Sequence, residues 1–355
     1  MKILGEGQEI KEKLGRGLCP HAAKQVPPNF SEGSGGTEAL TCLVRVASPH
    51  APAVCLFNVF FAFSSMEYQK YKEWLMVFGR EDMNEMLKEI KPSIRVNEIK
   101  ITVDRFMEFS ELKLERTFFD NAFFVLDEGI KVGNTIEYFL GYMHTQSLSS
   151  MLPPIILWPK ENEKVYDVCA APGSKTTQMS AMMKNKGIIY ANDVRIERIS
   201  ALISNINRLG VLNTVVTQRN GAKLLRPDYF DRVLVDAPCS NLGSDPYAYI
   251  KWNLKYSIKL SYLQKRILLF SFDSLKPGGT LVYSTCTYTK EENEEVVAYL
   301  LEKRENAKLV GIDIPYDIPH ENGLSEYGNE FRRVWRVYPW HLKSEGFFIA
   351  KMVKV

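Results

Sequence analysis

From Lys164 onward, short apolar runs alternate with longer stretches in which apolar residues recur every three or four positions. The short runs predict buried strands, and the longer stretches predict helices with one face on a core. Alternation of this kind favours a doubly wound, mostly parallel sheet. The predicted strands are KVYDVC, GIIYAND, TVVTQ, RVLVDAP, GTLVYST and the terminal GFFIAKMVKV. The predicted helices begin at Lys175 and cover Ile196–Leu209, Ile258–Leu275 and Glu291–Arg304.

Two segments precede this α/β domain, which we assign to residues 151–355. Residues 66–150 predict a smaller α/β unit, with a helix from Met66, β-like IRVNEIKI, a helix in TVDRFMEFS, β-like ELKLERTFF and NAFFVLD, and a helix over NTIEYFLGY. Residues 1–65 are rich in Gly, Ser and Pro and lack clear periodicity. They are either a flexible extension or a product of gene-start choice, with Met66 as the natural start.

Composition excludes several classes of protein. The 355 residues are 45% hydrophobic and 25% charged, with a net charge of +3, as in ordinary globular proteins. Six scattered cysteines do not form a disulfide scaffold, and no Cys/His cluster has zinc spacing, so we expect reduced thiols and no metal. The most apolar run, Ala53 to Phe63, is much shorter than the roughly 20 residues of a membrane span. We therefore expect a cytoplasmic monomer that does not contact membrane.

The first predicted strand leads into the sequence DVCAAPGSKTTQ, which is suited to hold a nucleotide-like ligand. Gly173 permits a close approach of the backbone, and the N-terminus of the following helix offers free N–H groups. Neither GxGxxG nor GxxxxGK[ST] is present, which disfavours dinucleotides and nucleoside triphosphates. An adenosyl cofactor without phosphates fits this loop better.

Polar residues at the next strand ends extend the same site. Asp193 ends the second strand, where an acid would bind both hydroxyls of a ribose, or else only cap the next helix. Arg198 either steadies that acid or the cofactor, or is a solvated helix charge. Asn220, after the third strand, is expected at the adenine edge, and Asp236, after the fourth, near the reacting end.

Two cysteines follow adjacent strands of the predicted sheet. Asp236-Ala237-Pro238-Cys239 closes the fourth strand, and Ser284-Thr285-Cys286 closes the fifth. Either cysteine alone is best read as a small buried hydrophobe, but two at one sheet edge indicate nucleophilic chemistry. Methylation of pyrimidine carbon 5 needs such a thiolate, because carbon 5 becomes nucleophilic only after addition at carbon 6. The base must also be unstacked, as in an RNA loop or a flipped nucleotide.

At these residues the sequence resembles the NOL/NOP/SUN (Fmu/RsmB-like) family of RNA cytosine-5 methyltransferases. The matching motifs are DVCAAPGSKTTQ, VLVDAPCSNLGS, KPGGTLVYSTCT followed by EENE, and RRVWRVYPW with SEGFFIAK. Upstream, IRVNEIK and GYMHTQSLSSMLPP are similar to the family's RNA-binding and pre-catalytic segments. The likeness runs from about residue 90 and implies a Rossmann-like S-adenosylmethionine-dependent domain behind a small RNA-binding domain.

The resemblance also implies roles for particular residues. Cys286 is the implied nucleophile, Cys239 assists product release, and Asp236 contacts the cytosine. The cofactor is implied to be S-adenosyl-L-methionine, lined by Asp193, by Asn220, where the family usually has aspartate, and by the loop residues Cys169, Ala170, Ala171, Pro172, Gly173, Ser174 and Lys175. The STC motif indicates RNA rather than DNA, because DNA cytosine methyltransferases use the cysteine after their fourth strand.

The compact layout resembles archaeal tRNA methyltransferases, which implies tRNA as substrate and leaves rRNA as the alternative. Methylation of an amine is disfavoured because DAPC replaces the Asn/Asp-Pro-Pro-aromatic motif. A non-catalytic RNA-binding assembly factor has no use for a thiol pair. The candidate phosphate and base contacts, which alternatively belong to solvated faces and the core edge, are Arg95, the stretch Lys251–Arg266 with Trp252, Tyr256 and Tyr262, and Arg332, Arg333 and Arg336.

Overall fold

A computed structural model describes residues 90–355 except 225, 246–247 and 249–251. The predictions for residues 1–65 and for the helix from Met66 lie outside the described residues, as does Lys251. In the part of the chain that is described, no helix combines the length and the apolar content that crossing a membrane requires.

The first described unit is a four-stranded antiparallel sheet whose strands lie side by side in the order Leu114–Arg116, Ala122–Val125, Ser93–Val96 and Met143–Thr145. Its buried face packs Ile94, Phe123 and Met143 against Phe106 of the neighbouring helix. The predicted helix over NTIEYFLGY is short, and the last strand was not predicted. The elements are β1 Ser93–Val96, α1 Val103–Phe109, β2 Leu114–Arg116, β3 Ala122–Val125, α2 Ile136–Phe139 and β4 Met143–Thr145.

Helix α3, Leu148–Leu157, connects this unit to the large sheet and crosses the predicted boundary at residue 150. The sequence did not suggest a helix here, because it contains Pro153 and Pro154, which remove backbone N–H donors. The carbonyl of Ser150, which would accept from residue 154, instead accepts a hydrogen bond from Gln146 Nε2 at 3.2 Å. Nearly all of its residues are buried, so packing against the large sheet outweighs the weak helix propensity.

The large sheet has nine strands, and five of them are parallel neighbours in the order Leu275–Thr285 (β9), Phe230–Asp236 (β8), Lys164–Asp167 (β5), Ile188–Asp193 (β6) and Thr214–Gln218 (β7). The strand order reverses between β5 and β8, which places the ends of both strands at the switch point of a doubly wound sheet. The predicted fold class is therefore confirmed. The elements of this part are β5 Lys164–Asp167, α4 Ser174–Met182, β6 Ile188–Asp193, α5 Ile196–Leu209, β7 Thr214–Gln218, β8 Phe230–Asp236, α6 Leu254–Asp273 and β9 Leu275–Thr285.

Antiparallel strands extend the sheet beyond β9. The terminal strand β13 pairs with β9 from Phe348 opposite Thr285 to Val353 opposite Thr280, as far as the cysteine end of β9. The sequence predicted only this one of the added strands, because the others are two to four residues long and carry little periodicity. The remaining elements are α7 Glu294–Lys303, β10 Ala307–Val310, β11 Glu321–Asn322, β12 Trp335–Val337, α8 Pro339–Leu342 and β13 Phe347–Lys354.

Candidate active site

The predicted cofactor loop lies between β5 and α4. Gly173 precedes the first residue of α4 with φ of 106°, a left-handed conformation that disfavours any side chain. A Cβ there would come within 2.9 Å of Leu202 Cδ1, so the loop packs closely on α5. Burial raises the pKa of the Cys169 thiol, so this side chain lies in the loop as an uncharged thiol.

A buried acid that the sequence did not single out lies beneath this loop. Asp167 ends β5, and its Oδ2 accepts a hydrogen bond from Thr176 Oγ1 at 2.6 Å. Its Oδ1 is buried without a hydrogen-bond partner. Burial raises the pKa of Asp167 to about 7, helped by the negative charge of Asp236. The Asp167 carboxyl group therefore ties Thr176 to the end of β5 through Oδ2, while its Oδ1 accepts no hydrogen bond.

The side chains at the ends of β6 and β7 differ in their accessibility. Asp193 Oδ1 accepts the backbone N–H of Arg195 at 2.9 Å, which is the capping role considered as its alternative. Its buried Oδ2 has no hydrogen-bond partner, although Arg198 Nη1 lies at ion-pair distance, 3.3 Å. Arg198 also donates to the carbonyl of Ala171. Asn220 is exposed, and its Oδ1 accepts the N–H of Ala222.

Asp236 lies between two donors at the end of β8. Its Oδ2 is 2.7 Å from Lys175 Nζ, and its Oδ1 accepts from Ser284 Oγ at 2.8 Å. Lys175 also donates to Ser150 Oγ at 2.9 Å. Burial works against the charge of Lys175, but Asp236 more than compensates and raises the lysine pKa. The structure thus joins Lys175, expected to line the cofactor, directly to the acid expected to contact the cytosine.

The two cysteines meet, as their strand ends predicted. Asp236 is in register with Ser284 on the neighbouring parallel strand, so both following loops leave the same edge. Cys239 Sγ lies 3.3 Å from Cys286 Sγ, and both side chains are partly exposed. The contact with Cys286, together with burial, raises the pKa of Cys239 well above its ordinary value. The two reduced thiols and Asp236 therefore lie at the same edge of the sheet.

Several contributors to the site were not recognised from the sequence. Asn241 Oδ1 accepts from Cys286 Sγ at 3.1 Å and lies 3.4 Å from Cys239 Sγ. Ser244 Oγ is 3.4 Å from Cys286 Sγ. Asn241 is the second residue after Cys239 in the quoted motif, and only this proximity could have indicated its role.

The predicted RNA contacts divide into buried and exposed residues. The prediction is wrong for Arg95, which is 1% exposed and donates to Gln146 Oε1 and Thr177 Oγ1. It is also wrong for Arg336, which is 3% exposed and ion-paired with Glu294. Both guanidinium groups are committed to internal partners and cannot reach a phosphate.

The remaining candidates lie at the surface or at its margin. Trp252 is half-buried, and its indole N–H donates to Ser257 Oγ at 2.7 Å, as expected for a residue at the core edge. Exposed candidates are Tyr256, Tyr262, Arg266, Arg332 and Arg333.

The parallel sheet, its glycine loop and the acid at the end of the second strand define a Rossmann-like methyltransferase. A family model described as 16S rRNA methyltransferase RsmB/F matches residues 154–353, and the chain belongs to this family. A tRNA (cytosine(49)-C(5))-methyltransferase of Pyrococcus abyssi is 41% identical over 280 residues, which are 76% of this chain and 90% of that protein.

Other relatives share only part of their length with this chain. A human 28S rRNA (cytosine(4447)-C(5))-methyltransferase is 41% identical over 65% of this chain and 29% of its own length. The ribosomal RNA small subunit methyltransferase F of Shewanella woodyi is 38% identical over 76% of this chain and 58% of its own length.

Solved structures agree with the fold. A methyltransferase homolog protein from Pyrococcus horikoshii has a TM-score of 0.70 and 31% identity, covering 84% of this chain and 97% of that one. NSun6 from the same organism, with SFG, has a TM-score of 0.72 and 25% identity, covering 83% and 99%.

Proposed function

We propose that this protein methylates carbon 5 of cytosine in RNA, with S-adenosyl-L-methionine as methyl donor and Cys286 as nucleophile. The observation that carries the proposal is the pair of thiols 3.3 Å apart beside Asp236 at the switch point of the sheet. Relatives named as cytosine-C5 methyltransferases of tRNA and rRNA support the reaction.

The residues present fit this methyl donor. The glycine loop follows the carboxyl end of β5, where a doubly wound sheet binds its ligand, and the Oδ2 of Asp193, which has no hydrogen-bond partner, suits a ribose hydroxyl. Residues 169–175 and Asp193 would hold the adenosyl group, with Arg198 keeping Asp193 in place. Asn220 lies at the rim, where its amide would reach the adenine edge by releasing its bond to Ala222. When bound, S-adenosylmethionine supplies an electrophilic methyl group.

The chain's own residues would act on the cytosine in a defined order. Cys286 gives its thiol proton to water, and its sulfur forms a bond to carbon 6, which makes carbon 5 nucleophilic. Asp236, held by Lys175 and Ser284, shares a proton with cytosine N3, which neutralises the negative charge that the addition leaves on the ring and so favours this attack. After methylation the carbon-5 proton leaves to water and the sulfur–carbon bond breaks. Cys239 donates its proton to the departing sulfur and so assists release, and a proton from water then restores the Cys239 thiol.

We propose tRNA as the substrate, because the relative named for tRNA is covered over 90% of its length. rRNA is the second candidate, since the human and Shewanella relatives are named for rRNA. We further propose a cytoplasmic, monomeric enzyme that acts on RNA rather than DNA. The small antiparallel sheet would serve as the RNA-binding domain.

The exposed face of α6 is proposed to contact the RNA backbone. Lys255, Lys259 and Arg266 are exposed, and none has an acidic partner among the described residues. Tyr262, 66% exposed, lies between them and offers a ring on which a base can stack. Changing the three cations to glutamine should raise KM for RNA, flatten its salt dependence and spare kcat. Lys308→Gln, an exposed charge on β10, is the control and should change neither.

The reaction is tested by incubating the protein with unmodified tRNA transcripts and S-adenosylmethionine and mapping 5-methylcytosine by bisulfite sequencing. Wild type should methylate a defined cytosine, Cys286→Ala should leave it unmodified, and Cys239→Ala should accumulate a covalent RNA–protein adduct. Lack of methylation on every tRNA and on rRNA would contradict the proposal. Methylation of rRNA alone would retain the chemistry and replace the substrate.

A further inference from the structure

A buried carboxylate lies beneath the loops that carry the two cysteines. Glu292 is 0% exposed, and four neutral groups donate to it. Ser257 Oγ and Thr289 Oγ1 donate to its Oε1 at 2.7 and 3.0 Å. The backbone N–H of Ser240 and Gln264 Nε2 donate to its Oε2, both at 3.0 Å. Among the described residues, no cation lies within ion-pair distance of it.

Glu292 is connected to the chain on both sides of Cys239. Ser240 directly follows this cysteine, and Gln264 also donates to the carbonyl of Pro238, which directly precedes it, at 2.8 Å. The cysteine is therefore flanked by two backbone groups that are tied to one carboxylate. These contacts hold the backbone on both sides of Cys239.

The same carboxylate reaches the loop of the second cysteine. Ser240 Oγ and Thr287 Oγ1, on the residues that follow Cys239 and Cys286, are 2.7 Å apart. Tyr283, three residues before Cys286, donates its hydroxyl to the backbone carbonyl of Glu292 at 2.6 Å. Glu292 is thus connected to both strand-end loops, to the first through Ser240 and to the second through Thr289 Oγ1 and Tyr283.

We propose that Glu292 is a positioning residue that assigns the two cysteines their different roles, an inference that rests on the proposed cytosine methylation. The contact with Cys286 and burial are the larger causes that raise the pKa of Cys239, and the negative charge of Glu292, bonded to the N–H of the next residue, Ser240, adds to them. Cys239 consequently keeps its proton, and Cys286 is the sulfur that ionises and attacks. Glutamine at this position removes the charge and also loses hydrogen bonds, because its amide nitrogen cannot accept from the two donors that one carboxylate oxygen serves.

The test measures alkylation rather than methylation, so it stays informative if the proposed reaction fails. Protein without RNA is treated with iodoacetamide at one mildly alkaline pH, and modification of Cys239 and Cys286 is followed by peptide mass spectrometry. In wild type, Cys286 should react first. In Glu292→Gln the labelling rate of Cys239 relative to Cys286 should rise roughly tenfold, and Glu292→Asp should keep the wild-type order.

Glu137→Gln is the matched control, because Glu137 is also buried, accepts a hydrogen bond from Ser110 Oγ and belongs to the small antiparallel unit rather than to either cysteine loop. Its labelling ratio should equal that of wild type. In a methylation assay, Glu292→Gln should lower kcat while leaving KM for RNA unchanged. An unchanged ratio in folded Glu292→Gln overturns the inference. Faster labelling of Cys239 than of Cys286 in wild type overturns it as well, whether or not the variant folds.

Discussion

Replacing Arg336 by methionine should destabilise the protein without first weakening its binding to RNA. The guanidinium is 3% exposed, and its Nε and Nη2 are 2.7 and 2.5 Å from the two carboxylate oxygens of Glu294. Its Nη1 also donates to the carbonyl of Tyr288 at 3.1 Å. The substitution leaves Glu294, which is 0% exposed, without a counter-charge.

The expected magnitude follows from this geometry. Removing one partner of a buried ion pair costs about 3–5 kcal/mol, since the remaining charge cannot be solvated. Glu294→Gln combined with Arg336→Met should recover part of that loss, because it removes the stranded charge as well. The exposed Arg332 is the control, and Arg332→Ala should change the free energy of unfolding by less than about 0.5 kcal/mol.

The assay is urea unfolding followed by circular dichroism, together with RNA binding at several salt concentrations. Arg332→Ala should reduce the salt dependence of binding, whereas Arg336→Met should lower the unfolding midpoint. The reasoning would be refuted if Arg336→Met unfolded like wild type and lost RNA affinity. That result would support the contact with RNA that the sequence predicted for Arg336.

Three further outcomes are expected. Gly173→Ala should lower the free energy of unfolding in urea by ~1–2 kcal/mol, since φ of 106° strains a side chain and its Cβ would meet Leu202 Cδ1 at 2.9 Å; an unchanged unfolding midpoint would contradict this strain. Mild oxidation with diamide should join Cys239 and Cys286 in a disulfide, with the loss of two thiol hydrogens, because their sulfurs are 3.3 Å apart. Activity should be lost until a reductant is added, and the mass of Cys239→Ala should not fall by two hydrogens. Burial lowers the pKa of His144 from 6.5 to about 3, so the unfolded chain binds a proton that the folded protein does not. The free energy of unfolding should therefore fall as the pH drops from 6.5 toward 3, and His144→Gln should show a shallower fall.

The local pattern was sufficient for most of the parallel sheet. The observed helix Ile196–Leu209 and strand Thr214–Gln218 have the bounds that the periodicity predicted. An amphipathic helix and a short apolar strand can each be recognised from their own residues alone. Helix α3 was missed because Pro153 and Pro154 disguise it, and β11 and β12 because they are too short to show a period.

The positions of Asp193, Cys239 and Cys286 after strands of one sheet follow from the sequence, because strand ends are marked by nearby residues. Which polar side chains are available to a ligand depends instead on the packed fold. Arg95 donates to Gln146 and Arg336 to Glu294, which lie 51 and 42 residues away in the sequence. Glu292 likewise accepts a hydrogen bond from Ser240, 52 residues away. Burial and pairing depend on how the strands are ordered in space, and that order is a property of the whole packed core rather than of any local segment.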